Sequence, residues 1–186
     1  MKVRSLVGLL PLCASTVIEP AHAMRYPKLM ELIALFKKRH PELISHVAPT
    51  EGSFSGYKDR RLLSILNKNK LERVLGYMLD ENEFLGPHGI RSLSRYHLDH
   101  PFVFHVAGEE YKVQYLPAES NTGMFGGNSN WRGPVWMPVN ALIVRALMNL
   151  YTFYGDEFKV QCPTGSGKYM TLFEVAQELV RRLTGT

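Results

Sequence analysis

Residues 134–154 read Pro-Val-Trp-Met-Pro-Val-Asn-Ala-Leu-Ile-Val-Arg-Ala-Leu-Met-Asn-Leu-Tyr-Thr-Phe-Tyr, and Gly155 follows. Val135, Val139, Leu142, Ile143, Ala146, Leu147, Leu150 and Tyr154 recur mostly at helical spacing, so they share one side of an α-helix. Gly155 suits its end, where the backbone turns into a conformation that glycine adopts without strain. The pattern predicts an amphipathic helix from about Pro134 to Tyr154, the clearest element in the chain.

Outward from it the texture stays helical. Thr171 and Glu174 have the Thr-x-x-Glu spacing of a capping box, and Leu172, Val175, Leu179 and Val180 continue a helix to about Leu183. Upstream, Pro27 fits the first turn of a helix over Lys28–Arg39, with Leu29, Leu32, Ile33, Leu35 and Phe36 on one broad face. Asn69 stands three residues before Glu72 and resembles another capping box, opening a helix that carries Leu71, Val74, Leu75, Met78 and Leu79. Between Glu83 and Arg132, Gly, Pro, Asn and Ser recur, and only short extended runs stand out, Phe102–Val106 and Tyr111–Tyr115. An irregular stretch of that length inside a compact domain is usually functional. Four or five helices, one long loop and little strand predict an all-α layout with functional loops at one end.

The first residues admit two readings. Lys2 and Arg4 precede an apolar run from Leu6 to Val17, and Ala21-His22-Ala23 has the small-x-small form of a cleavage site, so residues 1–23 mimic a secretory signal peptide. The competing reading is a buried helix from about Arg4 to Ile18, bent near Pro11. The run is too short to cross a bilayer under either reading, and no membrane partner is expected.

The bulk numbers are those of a globular chain with a real core. Of 186 residues, 45% are hydrophobic and 21% charged, values that argue against disorder. The net charge is +5, but Lys37, Lys38, Lys58, Arg60, Arg61, Lys68, Lys70, Arg181 and Arg182 are scattered. They read as a solvated surface, and no nucleic-acid partner is expected. Cys13 and Cys162 are too few for a disulfide framework or a zinc knuckle, and Cys13 reads as a small core residue. His97-Leu-Asp-His100 offers metal-binding side chains without a zinc spacing and reads as a surface loop. No metal or cofactor is expected. Pro163-Thr-Gly-Ser-Gly-Lys168 precedes a helix but fails as a phosphate loop, because Cys162 stands where glycine is needed and Tyr169 where Ser or Thr would bind Mg²⁺.

The chemistry concentrates in Phe125-Gly-Gly-Asn-Ser-Asn-Trp-Arg-Gly-Pro-Val-Trp136. Glycines permit close approach of a ligand to the backbone. Asn128, Asn130 and Arg132 supply hydrogen-bond donors, and Trp131 and Trp136 supply flat apolar faces. A pyranose needs that mixture, since it carries hydroxyls at its edge and C–H groups on its faces. Trp136 and Asn140, four residues apart, share a helix face. The alternative is that both tryptophans are core and the Asn-Gly run a plain turn. Gly89-Ile90-Arg91-Ser92-Leu93-Ser94 is a second compact loop with polar groups, although local evidence alone favours an exposed surface turn. The acidic residues Glu83, Asp99, Glu109, Glu110 and Glu119 give no pair that spacing alone places across a glycosidic bond, so the catalytic residues stay unknown.

Gly127-Asn-Ser-Asn-Trp-Arg-Gly-Pro-Val-Trp136, followed by Pro138-Val-Asn140, resembles the hallmark of glycoside hydrolase family 63, which contains mannosyl-oligosaccharide glucosidase and related α-glycosidases. Phe84-Leu-Gly-Pro-His-Gly-Ile-Arg-Ser-Leu-Ser-Arg-Tyr-His97 resembles that family's other loop signature. Phe158–Lys168, with the helix opening at Thr171, resembles a later part of its microbial branch, so the likeness covers essentially the whole chain. It implies a partial (α/α)6 toroid over residues 1–186, one catalytic domain incomplete at both ends, because five helices cannot close a ring of twelve. It implies hydrolysis of an α-glycosidic bond with inversion, on an oligosaccharide or small glycoside. It carries over Trp131, Arg132, Trp136, Asn140, Arg91 and Ser92 as substrate contacts, and places the acid and the base outside these residues. The truncated chain is then expected to be inactive and to expose apolar helix faces meant for missing parts of its own domain. Val3–Leu12 also resembles a buried helix of the family, which favours that reading, and a cytoplasmic over a secreted location. No Asn-x-Ser/Thr sequon occurs, which fits the same choice. The alternatives are a carbohydrate-binding remnant without catalysis and a small secreted helical protein with a cleaved leader.

Overall fold

The structure, a computed structural model, describes residues 3–44, 56–116 and 135–185. Its α-helices are α1 (Pro20–Arg25), α2 (Pro27–Arg39), α3 (Pro41–Ile44), α4 (Lys68–Met78), α5 (Met137–Tyr154) and α6 (Leu172–Thr184). Its strands are β1 (Ser15–Ile18), β2 (Arg61–Ser64), β3 (Leu85–Gly86), β4 (Gly89–Ile90), β5 (Phe102–Val106), β6 (Glu109–Val113), β7 (Lys159–Gln161) and β8 (Tyr169–Thr171). The described chain is mainly helical, and its strands form separate two-stranded antiparallel ladders. None of them closes into a barrel. The helical layout with little strand agrees with the sequence, whose extended runs at Phe102–Val106 and Tyr111–Tyr115 fall on β5 and β6, while ladders of two to four residues leave almost no periodic signal.

The core is built around α5. Val139, Ile143, Leu147 and Leu150 follow one another at four, four and three residues and are buried, together with Ala146 and Phe153. They meet Leu172, Val175, Ala176 and Leu179 of α6, and Leu71, Leu75 and Met78 of α4 join the same cluster. The helix begins at Met137 with Pro138 in its first turn and ends at Gly155, whose φ is 63°. Leu142, on the expected stripe, is half exposed.

The apolar N-terminal run is core. Leu6–Cys13 forms a 3-10 helix with Pro11 inside it, and Leu6, Leu9 and Leu12 are buried against the α5 cluster. The expected continuous helix to Ile18 does not form. The β-branched Thr16, Val17 and Ile18 lie in β1 instead, where such side chains fit, and Val17 pairs with Leu62 of β2. The helix caps divide in the same way. Thr171 and Glu174 form the expected capping box, whereas α4 is capped by Asn67, whose side chain accepts from the Lys70 N–H at 3.0 Å. Asn69 lies inside the helix.

Within α6, Glu178 accepts from both Arg181 and Arg182. The hydrogen bond from Arg181, with that from Arg182, outweighs burial and lowers its carboxyl to about 2. Since the folded value lies below the unfolded one of about 4.3, this stabilisation is full above the unfolded value and is lost as pH falls toward 2. The melting temperature is expected to drop across that window, and Glu178→Gln to flatten the drop in a pH series of thermal melts.

Helix α2 has no buried residue, and Leu29, Leu32, Leu35 and Phe36 are exposed along one side. Proline opens it as expected, but its apolar face meets no other part of the described core. Such a face drives association. Leu32→Glu with Phe36→Glu is expected to reduce concentration-dependent self-association in sedimentation and to shift stability by no more than about 0.5 kcal/mol per site.

Candidate functional site

The Gly89–Ser94 loop meets the residues that open α5, at one end of the α5–α6 pair. Arg91 pairs with Val135 through an isolated antiparallel bridge, which sets the β3–β4 hairpin beside the residues entering α5. Asn140 completes the junction. It is fully buried; its Oδ1 accepts from the Ile90 N–H at 2.7 Å, and its Nδ2 donates to the Ile90 and Trp136 carbonyls, both at 3.0 Å. One amide thus ties the hairpin backbone to the residue that opens α5. Trp136 is the N-cap residue of α5 and is half-buried, packed against the edge of the core.

Arg91 is 7% exposed. Its Nη1 donates to the carbonyls of Glu81, Glu83 and Leu85 at 2.9, 3.3 and 2.8 Å. Its Nε is buried without a partner among the described residues, and the guanidinium carbon lies 5.7 Å from the centre of the Tyr115 ring. Ser92 is half-buried, and its carbonyl accepts from the Leu6 N–H at 2.9 Å. Trp131 and Arg132, and the whole of residues 127–133, lie outside the described residues. The structure therefore brings Arg91, Ser92, Trp136 and Asn140 together. It gives the polar groups of Asn140 and one edge of Arg91 to the backbone.

Sequence reasoning missed the buried network beneath this junction. Glu83 is 8% exposed, takes the Ser94 hydroxyl at 2.5 Å and forms an ion pair with Arg4. The Arg4 guanidinium lies 3.8 Å from the centre of the Tyr96 ring, a cation–π contact. The backbone N–H of Arg4 donates to His97 Nε2 at 2.9 Å, while His97 Nδ1 faces the His100 carbonyl at 2.8 Å. His97 was read as part of a surface loop; it is 1% exposed, because both its ring nitrogens find backbone partners and burial leaves neither unpaired. His100 remains exposed and stacks on Tyr96 at 4.3 Å. Among the described residues no group of three His, Cys, Asp or Glu could hold a metal ion. Arg182 was also read as plain surface charge, yet its Nη1 donates to the Gly86 carbonyl at 2.9 Å. No sequence signal could have shown a contact across that separation.

The Pro163–Lys168 segment forms the turn between β7 and β8 and lies against the end of α4, with the Thr164 N–H and hydroxyl on the Leu79 and Gly76 carbonyls. Cys162 beside it is buried, and burial pushes its thiol up to about 11. That places it among inert structural cysteines.

These features define a mainly helical domain in which a polar, glycine-containing hairpin loop meets the first turn of α5 at one end of a helix pair. A family model described as the mannosylglycerate hydrolase MGH1-like glycoside hydrolase domain matches residues 61–184. The chain belongs to that family of glycoside hydrolase-like domains. It is also 49% identical over 183 residues to an uncharacterized protein of Saccharomyces cerevisiae, a match that covers 98% of this chain and 17% of the relative. The chain thus spans about a sixth of the length of that relative. No solved structure matches it significantly.

Proposed function

We propose that the chain forms one wall of the sugar pocket of an inverting α-glycosidase of the family 63 type, on part of an (α/α)6 toroid. The observation that carries the reading is the Asn140 amide, which holds the Gly86–Ser94 loop and the entry to α5 at a single junction. Family membership supplies the carbohydrate class, and the Trp131–Trp136 segment supplies its chemistry. In this reading Trp131, Arg132, Trp136 and Ser92 face the sugar. Arg91 and Asn140 hold the pocket wall, because backbone carbonyls and the Ile90 N–H already occupy the Arg91 Nη1 and the Asn140 amide. The general acid and general base of inversion are assigned to segments outside these residues, so the chain as given binds glycosides without hydrolysing them. The substrate is an oligosaccharide or small glycoside, with no cofactor.

Trp131 and Trp136 are the chain's two tryptophans, so indole fluorescence reports on the proposed pocket alone. Methyl α-glucoside, methyl α-mannoside and mannosylglycerate are the first ligands to titrate. A saturable change with at least one of them is the expected result. An emission spectrum that none of them moves would remove the pocket reading.

A further inference from the structure

We infer, independently of the carbohydrate reading, that the outer edge of β5 is a pairing surface for a second copy of this chain, joined strand to strand about Phe104. Strands β5 and β6 form a hairpin that pairs with no other strand among the described residues. Ala107 and Gly108 turn it, with φ of 52° and 83°, the positive values of a two-residue type I′ turn. Its base is fixed to the body of the fold. The Tyr115 N–H donates to the His97 carbonyl at 3.1 Å, and Gln114 Nε2 donates to the Leu98 carbonyl at 3.3 Å. A two-stranded hairpin is marginal by itself, and its two edges present open N–H and C=O groups. The two edges differ. β6 carries Glu109, Glu110 and Lys112, and charged side chains, lysine above all, are what natural edges use against pairing. β5 reads Phe-Val-Phe-His-Val, with no Asp, Glu, Lys or Arg, and its Val103 and Val106 are 39% and 53% exposed.

The register makes the open edge complementary to itself. A two-residue turn closes on a pair that exchanges both backbone bonds, here Val106 and Glu109, and such pairs alternate along an antiparallel ladder. Phe102, Phe104 and Val106 thus turn their N–H and C=O groups to β6. Those of Val103 and His105 face outward, where no backbone partner meets them among the described residues. Laid antiparallel on its copy with Phe104 at the two-fold axis, β5 sets Val103 opposite His105 of the copy, and His105 opposite Val103. Every outward N–H and C=O of the strand is then bonded. Phe104 meets its own copy in a non-hydrogen-bonded pair, where side chains stand closest, and Phe102 stands opposite Val106, an aromatic–β-branched pair. Phe102, Phe104 and Tyr111 already stack on one face, with ring centres 5.7 and 5.3 Å apart, so the joined sheet carries one row of rings across four strands. Such an isologous contact closes at two copies, because Glu110 and Lys112 guard the far edges. A five-residue edge covers little area, so the pairing is reversible on dilution.

The test is amide hydrogen exchange across a dilution series of the unsubstituted chain, Val103→Pro and Val103→Lys, with sedimentation of the same samples. Proline at 103 removes an outward N–H, a place where edge strands accept it, and lysine there copies the guard of β6. In the unsubstituted chain, exchange at Val103 and His105 is expected to slow about tenfold once about nine-tenths of the chains are paired, while Glu110 and Lys112 stay fast. In both variants His105 is expected to exchange fast at every concentration, with an unchanged melting temperature. Fast exchange at Val103 and His105 in samples that sediment as dimers would overturn the inference, because the contact then lies elsewhere. Protection that dilution does not relieve would overturn it too, by showing the edge covered within one chain. So would His105 protection that survives both variants, or an unsubstituted chain that stays monomeric.

Discussion

A chain lacking residues 1–23 is expected to lose cooperative unfolding altogether. The cut lies where a signal-type cleavage after Ala23 would fall, and it removes Leu6, Leu9 and Leu12, which are 2%, 3% and 1% exposed. Each buried leucine is worth about 2–5 kcal/mol when truncated to alanine, against a total domain stability of about 5–15 kcal/mol. The same cut takes away β1, the pairing partner of β2, and Arg4, which bonds Glu83, His97 and Ser94 at the floor of the site. Circular dichroism of the shortened chain is expected to show a sloping baseline without a transition. Leu9→Ala in the unshortened chain is the graded control, expected to keep a transition and to lower stability by about 2–5 kcal/mol. A shortened chain that melts as sharply as the original would mean that the N-terminal run contributes nothing to the core.

Asn140→Ala is expected to be the most damaging single change at the site. It takes the partner from both the N–H and the carbonyl of Ile90, while the Trp136 carbonyl keeps the backbone N–H of residue 140, at a position that is 0% exposed. An unsatisfied buried group costs about 1–3 kcal/mol, and more than one is left here, so a loss of about 3 kcal/mol or more is expected. For a domain of this size that lowers the melting temperature by roughly 6–12 °C. Asn140→Asp is expected to do no better, since its carboxylate would face the Ile90 and Trp136 carbonyls and offer no N–H. Asn149→Ala is the comparison: its amide bonds the Ser15 carbonyl at 3.2 Å in a half-open position, and a loss of about 1 kcal/mol is expected. Equal losses at Asn140 and Asn149 would show that the buried junction carries no special weight.

The parts of the fold that were legible in the sequence are those governed by local rules. The α5 stripe, the Thr171–Glu174 box, Pro27 at the head of α2 and Gly155 after α5 all follow from spacing within a few residues. Where two local signals compete, the sequence misleads. Asn67 and Asn69 both precede good helix formers, and only the structure shows Asn67 accepting the Lys70 N–H. Leu6–Cys13 carried the composition of a helix or a leader, but Pro11 and the β-branched residues that follow left a 3-10 helix and a strand.

The candidate site was legible as residue types and illegible as geometry. Asn140 was found through its helix face beside Trp136, and its role as a tie between the hairpin and the start of α5 depends on Ile90, 50 residues away. Glu83, Ser94 and Arg4 meet only in the fold, and nothing in their neighbours announces it. His97 looked like surface because His97-Leu-Asp-His100 stands in an irregular stretch without a zinc spacing, yet the folded backbone supplies partners for its ring. Apolar periodicity reports burial in helices. It says nothing about polar side chains whose burial is decided by partners far along the chain.

The measurement that bears most directly on the sugar pocket is calorimetric titration of the chain and of Trp131→Ala with methyl α-glucoside and methyl α-mannoside, with thermal melts of both proteins alongside. The expected result is saturable binding by the unsubstituted chain, none by Trp131→Ala, and coincident melts. Equal binding by both proteins, or a Trp131→Ala chain that has lost its stability, would contradict it and return the tryptophans to the core.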